Sequence, residues 1–175
     1  MEIGLTIPHT GPQAASGHIR AVCEAAESAG LDCLWAVDHL VLPHHTTSPY
    51  PLGRTPATLE DGALVRQLAP NFELIATLSW VAGFTSRIGL GTSVAVLPLR
   101  GPIVNARQIA TLDALSGGRF ILGISPGALP SDAEVLGILG EDRNKMFAEA
   151  IDVILQIWQR EPPSAATTNP ATIAV

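Results

Sequence analysis

Ile88-Gly89-Leu90-Gly91-Thr92-Ser93-Val94-Ala95-Val96-Leu97 opens the stretch that decides the fold. Pro98 follows, then a run from Pro102 to Leu115, the stop Ser116-Gly117-Gly118, and Phe120-Ile121-Leu122-Gly123-Ile124. The first segment is apolar and β-branched enough for a strand, and Pro98 ends it. Pro102 suits the first turn of a helix, where its missing N–H costs nothing. Paired glycines stop that helix, and a second apolar run follows. Strand, helix, strand in this order requires a crossover, and a crossover makes the two strands parallel.

The same unit repeats outward. Ile3-Gly4-Leu5-Thr6-Ile7-Pro8 reads as a short strand, and His9 to Gly17 as a polar turn. From His18 to Ala29, Ile19, Val22, Cys23 and Ala26 recur at helical spacing, with Gly30 in a C-cap position. Leu34-Trp35-Ala36-Val37 is a buried strand that ends on the polar pair Asp38-His39. Phe72 to Val81 fits a helix with Phe72, Ile75, Ala76 and Ser79 on one side. Beyond Ser125-Pro126-Gly127, a short helix is expected after the cap-like Ser131. Asp142 to Arg160 is amphipathic, with Phe147, Ile151, Ile154 and Trp158 on one stripe.

The expected fold is therefore α/β, a partial (β/α)8 TIM barrel of about four βα units with parallel strands, over residues 1–160. Residues 42–70 hold Pro43, Pro49, Pro51, Pro56 and Pro70 without a steady period. A loop of that length is expected to be functional or mobile. Residues 161–175 form a Pro/Ala/Thr-rich tail that reads as linker or disorder, with Thr172 to Val175 at most the stub of a fifth strand. A whole barrel needs eight units, typically ~250 residues. The expectation is a truncated product, a frameshifted end, or a half-barrel that pairs as a homodimer or with a second half.

Of the 175 residues, 47% are hydrophobic and 15% charged, which excludes a disordered chain. The net charge of −6 and the lack of a basic stripe argue against nucleic acid or an anionic membrane surface as partner. There is no signal-peptide pattern and no apolar run of ~18 residues, so a cytoplasmic location is expected. Cys23 and Cys33 read as buried thiols. His44-His45 lack partners at ligand spacing, so no metal site is expected.

Barrel active sites sit at the C-terminal ends of the strands. Asp38 and His39 lie at such an end. A histidine there can handle protons near neutral pH, although an Asp-His pair can also merely cap a strand. Gly127 lets backbone approach a ligand closely. Arg100, Arg107 and Arg119 could pair with phosphate. The structural alternatives weigh more: Arg107 falls on a helix face, and Arg119 opens a strand at the bottom of the barrel. Trp35 reads as core.

Several segments together resemble the luciferase-like oxidoreductases. They are Trp35-Ala36-Val37-Asp38-His39, Ile88-Gly89-Leu90-Gly91-Thr92 with Leu97-Pro98-Leu99-Arg100, and Ala110-Thr111-Leu112-Asp113-Ala114-Leu115-Ser116-Gly117-Gly118-Arg119-Phe120, continued by Gly123-Ile124. The match covers about residues 2–160. That family contains bacterial luciferase, flavin-dependent monooxygenases and oxidoreductases that use the deazaflavin coenzyme F420.

The resemblance implies that His39 contacts the cofactor ring and the substrate. It implies that Asp38 orients His39 or touches the ring. It places a bulge at Thr92-Ser93-Val94, with a non-prolyl cis peptide between Ser93 and Val94, behind the ring. With Gly127, these are the expected cofactor-binding residues, and His39 is the expected catalytic one. Ala128 departs from the family's usual acidic or aromatic residue.

The implied cofactor is coenzyme F420, or alternatively FMN, acting with a small-molecule substrate. The implied activity is hydride transfer, or alternatively oxygen-dependent monooxygenation. The third reading is a non-catalytic fragment.

Overall fold

The main strands are β1 (Gly4–Thr6), β2 (Cys33–Ala36), β3 (Gly89–Thr92) and β5 (Phe120–Ser125), each three to six residues long. The computed structural model describes residues 1–42, 67–127, 130–138, 142–160 and 172–174. The 43–66 part of the long loop, His44-His45 within it, Ala128, and 161–171 of the tail lie outside them.

Among the described residues the paired strands are all parallel, in the order β1-β2-β3-β5, with β4 (Ala95–Val96) and β6 (Thr172–Ala174) also on β5. The expected parallel sheet is thus observed. Thr172–Ala174 is the strand that the sequence offers only as a stub.

Helices α1 (Ser16–Ser28), α2 (Leu74–Ala82), α3 (Pro102–Ser116) and α5 (Arg143–Arg160) pack on the sheet, and the short α4 (Pro130–Val135) follows β5. α3 packs between α2 and α5. The core lies between sheet and helices and includes Leu34, Leu90 and Leu122 from strands and Ile19, Leu78, Ile109, Leu112 and Ile154 from helices. Gly30 and Gly117 both adopt positive φ just past helix ends, as C-cap glycines do. Cys23 and Cys33 are free and buried, and burial pushes both thiols up to about 11.

Three expectations need correction. α4 begins at Pro130, so Ser131 lies within the helix rather than before it. α2 begins at Leu74 rather than Phe72, because the Glu73 side chain accepts from the Ala76 amide and caps it. Its buried face is Leu74, Ile75, Thr77, Leu78, Val81 and Ala82, while Phe72 is exposed. The segment is apolar almost all round, so its period did not reveal the face. The 88–97 run, one strand by composition, is interrupted where the family resemblance implies a bulge. It breaks after Thr92, and Leu97–Leu99 forms a 3-10 turn. The partner offset to β5 is 30 at Leu90–Phe120 and 29 at Ala95–Ile124, so one extra residue bulges out between.

Trp35 explains two glycines. It points into the barrel between its neighbours, and a Cβ on Gly4 or Gly91 would fall on its ring. Gly91→Ala should therefore cost about 1–3 kcal/mol in urea unfolding, and much less in a Trp35→Ala background. Equal costs in both backgrounds would refute the packing account.

Candidate active site

The rim is built where β2 leaves its ladder. Asp38 follows two residues after Ala36, and its side chain is only 1% exposed. A carboxylate so buried needs strong partners. Arg100 supplies a two-pronged pair, Nη1 to Oδ2 at 2.7 Å and Nη2 to Oδ1 at 2.9 Å. The Val96 amide donates to Oδ2 at 2.9 Å.

Arg100 Nη2 also reaches Glu73 Oε1 at 2.8 Å, while Glu73 Oε2 caps α2. One guanidinium therefore ties the end of β2, the start of α2 and the turn before α3. Burial opposes its charge, but Asp38 and then Glu73 outweigh that and hold its pKa above the usual value. Arg100 is spent inside the protein.

His39 is half-buried. Its carbonyl accepts from Asn71 Nδ2 at 2.7 Å. Its ring Nδ1 is buried and has no hydrogen-bond partner among the described residues. Burial lowers the ring pKa, His9 reinforces this and Asp38 opposes it, so the imidazole is neutral at pH 7. His9, wholly buried, sits with one ring nitrogen 3.0 Å from Ile7 O and the other 2.9 Å from Val37 O. It links the ends of β1 and β2.

Thr92 is buried, and its hydroxyl bridges the bulge to β5. It donates to Gly123 O at 2.7 Å and accepts from Gly123 N at 2.9 Å. A side chain at Gly123 would strike the Thr92 carbonyl, so this close crossing requires glycine. The Ser93–Val94 peptide is cis, as the family resemblance implies. Ser93 is exposed and Val94 half-buried. Gly127 has φ +82°, and a Cβ there would meet Val96.

The structure thus draws the expected residues to one rim. Asp38 bonds Val96, Val96 pairs with Ser125 and abuts Gly127, and Thr92 bonds Gly123. They divide by orientation. Asp38 and Thr92 turn inward onto protein partners. His39, Ser93, Val94 and Gly127 retain accessible surface. Both Asp38 oxygens are engaged, Oδ1 by Arg100 and Oδ2 by Arg100 and the Val96 amide, and among the described residues no hydrogen bond joins Asp38 to His39.

Arg119 lies at the opposite end, where its guanidinium donates to the Ser116, Ile88 and Thr85 carbonyls. Arg107 is on the exposed side of α3. Among the described residues no cluster of three or more His, Cys, Asp or Glu could hold a metal, and no described helix is long and apolar enough to cross a membrane.

Sequence reasoning missed His9, Asn71, Glu73 and Asp132. Asp132, on α4, is buried and accepts from the Val41 amide at 3.3 Å. An acid shortly after a strand's C-terminal end was the available signal.

A family described as luciferase-like monooxygenase matches residues 1–171. The chain belongs to the luciferase-like monooxygenase family. It is 35% identical over 153 residues to the F420-dependent glucose-6-phosphate dehydrogenase of Kineococcus radiotolerans, covering 85% of this chain and 39% of that protein. An F420-dependent secondary alcohol dehydrogenase, solved with an F420-acetone adduct, superposes with a TM-score of 0.70 at 17% identity, over 98% of this chain and 50% of that one. The FMN-bound oxygenating constituent of 3,6-diketocamphane monooxygenase from Pseudomonas putida gives 0.68 at 21%, over 95% and 42%. The chain spans half or less of the length of these relatives. The family holds both F420- and FMN-dependent members, and these neighbours share the barrel fold.

Two outcomes are expected of this site. Arg100→Met leaves Asp38 buried without its counter-charge and should cost about 3–5 kcal/mol in urea unfolding; a cost near zero would mean the pair is solvated. For His39, the folded pKa lies below the unfolded value of about 6.5. Its stability contribution is present above that value and lost as pH falls through the folded pKa. His39→Gln should flatten the decline of the urea midpoint below about pH 6.5, and an unchanged decline would refute the assignment.

Proposed function

We propose that this rim is the ring-binding face of a luciferase-like oxidoreductase that uses coenzyme F420 to move a hydride to or from a small organic substrate. The observation that carries the reading is His39: a neutral imidazole whose buried Nδ1 has no partner among the described residues, on the same rim as the Ser93–Val94 bulge. A buried polar atom without a partner asks for a ligand, so the residues present fit a planar heterocycle with hydrogen-bonding edges. The 35% identity over 153 residues to an F420-dependent dehydrogenase is in keeping with the deazaflavin.

In this reading Ser93, Val94 and Gly127 support the ring. Gly127 offers backbone rather than a side chain, which allows close approach. Asp38 and Thr92 act from behind, holding the rim through Arg100, Val96 and Gly123. When bound, the cofactor supplies the hydride chemistry, and the protein supplies position and a proton-handling group. His39 accepts or returns the substrate's proton, which its neutral state at pH 7 permits.

The further binding surface and the substrate pocket would come from a second half-barrel, in the same polypeptide, in a second copy of this chain or in another chain.

The test is a spectroscopic titration of the chain with F420 and with FMN. The expected result is saturable binding of F420, weakened about tenfold by His39→Ala, roughly 1.4 kcal/mol. Binding of FMN alone would replace this reading with the flavin monooxygenase. Binding of neither to a folded chain would overturn it in favour of a non-catalytic fragment.

A further inference from the structure

His39 lies on backbone that belongs to no strand or helix. Residues 37–39 have no regular structure, yet the proposed function needs the ring held still. Backbone groups outside a ladder must find other partners when they are shielded from water. Around His39, backbone groups of Val37, His39 and Val41 meet side chains from elsewhere in the chain. Asp38, just before it, is gripped by Arg100 and the Val96 amide. The His39 carbonyl is taken by Asn71 from the approach to α2. The Val41 amide, two residues on, is taken by Asp132 from α4.

These anchors differ in kind. Arg100 and Asn71 come from the side of α2 and α3 and act at or before His39. Asp132 reaches the segment from α4, and among the described residues it is the side chain that bonds the backbone just after His39. Without it, the chain from Leu40 onward is fixed to the described residues by none of these bonds, and the ring can swing about the Asn71 anchor. We propose that Asp132 is a positioning residue for His39, acting through the Val41 amide. This rests on the reading of His39 as the proton-handling group.

The electrostatics fit a group that is held rather than solvated. Asp132 is buried with Asp38 and Arg100 as the charged groups facing it. Burial, then Asp38, pushes its carboxyl up; the Val41 amide and Arg100 pull the other way, leaving it at about 6. Its charge is thus costly where it sits, as expected of an acid retained for a hydrogen bond. Asn at this position keeps the acceptor oxygen and removes the charge. Ala removes both.

The test is NMR on the full chain, following the His39 ring and the Val41 amide through pH 4.5 to 8 in wild type, Asp132→Ala and Asp132→Asn. In Asp132→Ala the freed, better-solvated His39 ring should titrate closer to about 6.5, while Asp132→Asn keeps the wild-type ring signals at pH 8. A folded Asp132→Ala chain with the wild-type His39 titration would overturn the proposal.

If that variant does not fold, the Val41 amide decides. Its shift in wild type should carry an inflection near pH 6 that survives in His39→Gln and disappears in Asp132→Asn. An inflection that instead disappears with His39, or none at all, overturns it. None of these readouts needs a cofactor, so failure to bind F420 or FMN would sink the proposed function and leave this result standing.

Discussion

The Asp38–Arg100 pair is the constraint on which the rim depends. Its polar atoms lie where water scarcely reaches, and each needs the other to be tolerated. Asp38 sits just beyond β2, and Arg100 just after the turn that follows β4. Satisfying the pair therefore fixes the spacing between two strand ends, and the Val96 amide and Glu73 extend the same lock to β4 and α2. The pair stabilises less through its own attraction than through the penalty for leaving either charge alone.

Around this lock, the Thr92 hydroxyl does for β3 and β5 what backbone bonds would do in an unbroken strand. The bulge shifts the register by one residue, and the hydroxyl spans the gap to both the amide and the carbonyl of Gly123. That leaves Ser93 and Val94 at the surface of the rim rather than in the ladder. Buried polar bonds behind and accessible groups in front make a division of labour. Asp38 and Thr92 turn onto protein partners, and His39, Ser93, Val94 and Gly127, which keep accessible surface, are the groups we propose meet a ligand.

The strand–helix order was legible in the sequence because parallel strands buried on both faces leave near-continuous apolar runs between helical ones. Family motifs located the rim through Asp38-His39 and the cis Ser93–Val94 bond. What stayed hidden has a common cause. Arg100 meets Asp38 across 62 residues and Asp132 meets the Val41 amide across 91, and no period or local motif encodes a side-chain bond at such separation. The face of α2 was misread for the opposite reason, since a helix apolar nearly all round gives no contrast to read. Composition does not show the break in the 88–97 strand, because Ser93 and Val94 have ordinary strand chemistry; only the family resemblance implies the bulge there.

The claim that this rim receives a flavin-type ring is tested most directly by mapping amide and histidine-ring shift changes as F420 is added to the labelled chain. The account predicts the largest changes at His39, Ser93, Val94 and Gly127, smaller ones at Asp38 and Thr92, and none at the Arg119 end. Changes centred on Arg119 and Thr85, or saturable binding that leaves His39 unmoved, would contradict it.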